Sequence, residues 1–161
     1  MSEDFRLEAL IGDALLAKGW TVCTAESCTG GLIAHRLTNI PGCSAYVLGG
    51  IVSYSNAVKM KFLSVPESIL NTHGAVSEAT ARAMADGART IFDADIGVSV
   101  TGIAGPGGAT PGKPVGLVYI GLAVRGRDTV INRYVWENDR ESNKARSADA
   151  ALQMLYDAIK L

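Results

Sequence analysis

The chain has 161 residues, of which 48% are apolar and 19% charged, with a formal net charge of −1. That length suits a single domain over 1–161 able to bury roughly two-thirds of its unfolded surface, and the charge balance provides neither the basic footprint of a nucleic-acid binder nor a polybasic membrane patch. No run approaches the ~18 apolar residues of a spanning helix, and Met1–Arg6 lacks the apolar core of a signal peptide, so a cytoplasmic chain is expected.

Leu7, Leu10, Ile11, Ala14 and Leu15 recur at helical spacing and Gly19 supplies a stop, which predicts a helix over 4–18. A strand is expected over Trp20–Thr24. It runs into Ala25-Glu26-Ser27-Cys28-Thr29-Gly30-Gly31, from which an apolar-periodic helix leads to about Thr38. Pro41-Gly42 carries turn chemistry. Residues 45–54 read as a long strand whose pair Gly49-Gly50 signals a bend or a close backbone approach. Ser55-Asn56 opens a short helix, and Ser64 with Glu67 has the spacing of a capping box for a second one. Ser77 caps a longer helix from Glu78 to about Phe92. Asp95–Thr101 has the apolar character of a buried central strand.

A glycine-rich run without periodicity follows from Gly102 to Gly116, and loops of that length are usually functional or disordered. Strands over 117–124 and 129–136 form a hairpin. The last helix spans about Arg140 to Lys160, with Ala148, Ala151, Leu152, Leu155 and Ile159 inward. Alternating strands and helices followed by a hairpin predict a three-layer α/β/α sandwich on a mixed sheet. In such sheets ligands bind beyond the carboxyl ends of the strands.

The strand-to-helix turn at Ser27 offers small polar side chains beside free N–H groups, where an oxyanion or phosphate can be held. A serine hydroxyl needs a neighbouring base to become a nucleophile. Two histidines without a motif-like setting leave Lys59, whose proton is lost near neutral pH when burial lowers its pKa. The residues alone leave open that Lys59 is an ordinary surface lysine and Ser27 a helix cap. Cys28 is a rival nucleophile. Tyr54 is a candidate proton-orienting group, Thr101 and Gly102 are candidate oxyanion donors, and Arg140 and Arg146 are candidate anion binders. Three cysteines without a C-x-x-C pair read as reduced, and the histidine and cysteine spacing supports no metal site.

The segments Ala25–Gly31, Tyr54-Ser55-Asn56, His73–Ser77 and Thr101–Pro106 with Lys113–Gly116 together resemble the C-terminal domain family of the competence-damage protein CinA, over almost the whole chain. The stand-alone members of that family are the nicotinamide mononucleotide deamidases (PncC), and the stand-alone form is the one expected here. The resemblance implies a five-stranded sandwich, a homo-oligomer, a small nucleotide substrate and no cofactor. It implies an amidohydrolase that releases ammonia from nicotinamide mononucleotide in pyridine-nucleotide salvage. By position it implies Ser27 as nucleophile, Lys59 as base and Tyr54 as assistant. Substrate and oxyanion contacts fall to Thr29, Gly30, Gly31, Asn56, Thr101, Gly102, Gly105 and Arg140. This chain departs from the pattern at Ala57, where the family carries Glu, and at Asn138, where it carries Gly. A serine amidase on another small amide and a non-catalytic nucleotide-binding module remain alternatives.

Overall fold

The structure is a computed structural model that describes residues 6–161. Helix α1 (Arg6–Lys18) buries Ile11 and Leu15 and ends where Gly19 turns to φ +65°; positions 4 and 5 of the expected helix lie outside the described residues. Strand β1 (Val22–Glu26) is buried along its whole length and starts two residues later than expected, so Ala25 and Glu26 belong to the strand and the turn begins at Ser27. Helix α2 (Leu32–Thr38) and a 3-10 turn (Cys43–Ala45) lead to β2 (Val47–Val52), which is shorter than the expected 45–54. A Cβ on Gly50 would lie 2.3 Å from Thr24 Oγ1, which explains the glycine as a close approach of β2 to β1.

Ser55 caps α3 (Asn56–Leu63) by accepting from the Val58 N–H. The capping box expected at Ser64 does not form. Ser64 takes a left-handed conformation at φ 56° at the end of α3, and Pro66 occupies the N-cap of α4 (Glu67–His73) without a side-chain bond. A left-handed Ser64 turns the chain sharply between two helices, which takes its side chain out of capping position. Ser77 caps α5 (Glu78–Phe92) through the Thr80 N–H. Strands β3 (Ile96–Gly102), β4 (Leu117–Val124) and β5 (Val130–Val135) follow, then α6 (Arg140–Lys160), capped by Asp139 and burying all five residues expected to face inward.

The sheet has the order β2-β1-β3-β4-β5, with β1 parallel to both β2 and β3 and the last two pairings antiparallel. Because side chains alternate along a strand, Val22 enters a core with α1, α2 and α6, while Cys23 and Ala25 enter one with Met84 and Ala88 of α5 and Leu63 and Leu70 of α3 and α4. The molecule is therefore a three-layer α/β/α sandwich on a mixed five-stranded sheet. From β1 the chain passes to β2 on one side and later returns to β3 on the other, so the switch point of the sheet lies at the carboxyl ends of β1 and β3. No described helix is long and apolar enough to cross a membrane.

Candidate active site

The last rungs of the sheet set the site. Glu26 pairs with Val52 and Val100, the Ser27 N–H donates to Val100 O at 2.9 Å, and the Ser53 N–H donates to Glu26 O at 2.8 Å. Those bonds carry the register of three strand ends into the residues that follow. The chain then reverses in a turn closed by the Gly30 N–H on Ser27 O at 3.1 Å. Gly30 and Gly31 have φ +62° and +100°, a region that glycine enters without steric cost.

Glu26 holds the turn in place. Its buried carboxylate accepts from the Thr29 hydroxyl at 2.7 Å, the Ile33 N–H at 2.9 Å and the Ala34 N–H at 3.0 Å. It thereby satisfies N–H groups that the start of α2 leaves without helical partners. Ser27 is not the cap of that helix; its hydroxyl is left for another role.

Lys59, fully buried in α3, reaches back to β1. Its Nζ lies 3.1 Å from Ser27 Oγ, 2.6 Å from Ser53 O and 3.3 Å from Tyr54 O. The protonated amine has one hydrogen for each of these acceptors. The neutral amine has two hydrogens for the two carbonyls and a lone pair left for the Ser27 proton. Burial lowers the Lys59 pKa from 10.5 to about 8, which leaves roughly one-tenth of it neutral at pH 7, one unit below. Burial acts in the opposite sense on Cys28, pushing its thiol up to about 12, so the rival nucleophile is protonated at neutral pH.

The cleft over this pair has a volume of about 250 Å³ and brings together Ser27, Tyr54, Lys59, Thr101, Gly102, Gly105 and Arg140. Arg140 spans it, donating to Gly105 O at 2.8 Å and to the Tyr54 hydroxyl at 2.8 Å. Tyr54 therefore meets Lys59 through its carbonyl, while the hydroxyl of its exposed ring meets Arg140. Thr101 gives its hydroxyl proton to Ala75 O at 2.7 Å and so fixes the wall at 75–76. A Cβ on Gly102 would lie 2.7 Å from Leu117 O, so the glycine admits β4 at close range. Residues 103–105 line the cleft; the Ile103 N–H is spent on Leu117 O, so an oxyanion donor from this segment would have to come from Ala104 or Gly105.

Other expected contacts lie elsewhere. Thr29 is buried against Glu26, Gly30 and Gly31 give the turn its left-handed backbone, and Asn56 is exposed on the first turn of α3. Arg146 lines a separate groove between α1 and α6. A larger groove of about 820 Å³ lies along α4 and α5; its Ser77 is committed to capping, whereas the smaller cleft holds the paired serine and lysine. Asn138 makes no positive φ, so the glycine of the family pattern is not required there.

Two residues without an expected role complete the site. Glu26 was visible only as a letter of the motif. Asn143 is buried on α6 and donates to Ala104 O at 3.0 Å and Asn138 O at 2.9 Å, tying the cleft loop to the helix. Its signal was a polar residue four positions before Ser147, in line with the buried stripe of α6.

The chain matches the CinA C-terminal domain family over residues 4–159. A CinA-like protein of Chloroherpeton thalassium is 50% identical over 159 residues, which cover 97% of this chain and 38% of that protein. The chain thus spans less than half the length of the curated relatives it matches. Among solved structures, the competence/damage inducible protein CihA from Agrobacterium tumefaciens superposes with a TM-score of 0.94 at 41% identity, covering 98% of this chain and 95% of that one. A CinA superfamily protein from Klebsiella pneumoniae gives 0.93 at 33% identity, with 99% of each chain covered. With the matched span running from α1 to the end of α6, this chain belongs to the CinA C-terminal domain family.

Proposed function

We propose that the chain is an amidohydrolase that converts nicotinamide mononucleotide to nicotinate mononucleotide and ammonia through a Ser27 acyl-enzyme. The observation that carries this reading is the 3.1 Å approach of a buried, easily deprotonated Lys59 to Ser27 Oγ. Neutral Lys59 takes the Ser27 proton as Oγ attacks the carboxamide carbon, and a tetrahedral oxyanion forms. The lysinium returns that proton to the amide nitrogen as the C–N bond breaks and ammonia leaves. Water then enters, gives a proton to Lys59 and attacks the ester; Ser27 leaves with the proton restored.

The cleft lining carries two basic side chains, Lys59 and Arg140, and no carboxylate, so Arg140 keeps the cleft cationic when Lys59 is neutral, which suits an anionic substrate. Arg140 uses two of its five N–H groups on Gly105 and Tyr54 and keeps three for a phosphate. A coupled ammonia assay on nicotinamide mononucleotide tests the proposal. Ser27→Ala is expected to lose at least a thousandfold in kcat with an unchanged melting profile, since the nucleophile has no substitute. Near-normal turnover in that variant rules out the acyl-enzyme.

A further inference from the structure

The cations of α6 are sorted by helical spacing. Residues 140 and 144 lie one turn apart on one face, whereas 146 turns to the groove beside α1. Arg140 enters the cleft. Lys144 lies over the Ser27 turn: its Nζ is 3.7 Å from the position a Cβ would take on Gly30, the exposed last residue of that turn. Its charge also reaches Cys28, which lines the cleft, where it favours the thiolate against the dominant effect of burial. Lys144 forms no ion pair among the described residues. Glu26, which leads into the turn, is buried and its carboxylate is committed to Thr29 and α2. An ammonium beside the Ser27 turn with no ion pair among the described residues is a ready partner for an anion.

We propose that Lys144 is a specificity-determining residue that holds the phosphate monoester of the substrate jointly with Arg140, across the turn that carries Ser27. The inference rests on the nucleotide-amidase reading for its substrate, but its chemistry requires only a sugar phosphate at the rim. Arg140 offers the guanidinium face within the cleft, and Lys144 supplies the second charge that a phosphate near −2 needs.

The test measures ammonia release from nicotinamide mononucleotide and, by calorimetry, binding of ribose 5-phosphate, in the wild type, Lys144→Gln and Lys144→Arg. Lys144→Gln is expected to raise KM and the ribose 5-phosphate Kd about tenfold, the loss of one charge-assisted contact, with kcat within about twofold. Lys144→Arg restores most of both. KM and Kd within about twofold of wild type in Lys144→Gln overturn the proposal, as does a fall in kcat at constant KM and Kd. If the wild type releases no ammonia yet binds ribose 5-phosphate in a Lys144-dependent way, the amidase reading falls and the phosphate site stands. No binding of ribose 5-phosphate by the wild type overturns the site.

Discussion

Replacing Lys59 by Met tests the dyad through stability as well as through activity. In the folded chain the amine has a pKa of about 8, against 10.5 in its unperturbed state. A folded pKa below the unfolded one means that between these values the unfolded state binds more protons, so stability rises with pH across that window. Below about pH 8 both states are protonated and the full cost of burying the ammonium is present; above about 10.5 it is gone. The difference of roughly 2.5 units corresponds to about 3 kcal/mol. Lys59→Met abolishes this dependence and also leaves Ser53 O and Tyr54 O without their side-chain donor, a loss that does not vary with pH.

The quantity to measure is therefore the difference between the two proteins. Urea unfolding of wild type and Lys59→Met from pH 7 to 10.5 is expected to show the wild type gaining about 3 kcal/mol relative to the variant. The variant is also expected to release no ammonia. Parallel stability curves would refute the claim that Lys59 is buried with a lowered pKa, whatever happened to activity.

The same pKa sets the rate profile: kcat/KM is expected to rise about tenfold per pH unit below about pH 8 and to level above it, because the base must be neutral to accept the Ser27 proton. A profile flat from pH 6 to 9 would remove Lys59 as base. Cys28→Ala is expected to keep at least half of wild-type turnover, since a thiol near 12 supplies no thiolate; loss of activity there would return the choice of nucleophile to Cys28. Glu26→Gln turns an amide N–H toward a site built wholly of donors and is expected to cost about 2 kcal/mol in denaturant unfolding and to lower kcat. An unchanged kcat in that variant would show that the turn keeps its geometry without the carboxylate.

Much of this architecture was legible because it rests on local signals. The stripe of α6 and the Ser77 cap each follow from periodicity or from one side chain meeting a nearby N–H. The strand-to-helix turn was legible too, but its boundary slipped by two residues because β1 is buried on both faces. Glu26, a residue that usually favours solvent, is retained there by the N–H groups of a helix that starts six residues later. Ser64 departs from the expectation of its spacing for a related reason. The spacing of Ser64 and Glu67 fits a capping box, but Pro66 fixes the backbone between them and the left-handed Ser64 lets α3 and α4 each bury a leucine, Leu63 and Leu70, against α5. The role of Tyr54 was open to the same error: a motif names the residue, but only the fold shows that its carbonyl faces Lys59 and its hydroxyl faces Arg140.

The position of the dyad follows from one feature of the sheet. Because β1 lies between two parallel neighbours, its carboxyl end is fixed on one side by Val100 O and on the other by the Ser53 N–H. Ser53 takes part twice: its N–H secures the end of β2 to Glu26, and its carbonyl, 2.6 Å from Lys59 Nζ, orients the amine. The carbonyls that hold Lys59 Nζ follow β2 and Ser27 follows β1, so the β1–β2 ladder sets the frame in which the two side chains meet. Such a frame is the preorganisation that the proposed Ser27–Lys59 chemistry calls for. A substitution that disturbs the ladder, such as any side chain at Gly50 pressing on Thr24, acts on the dyad at a distance through that shared frame.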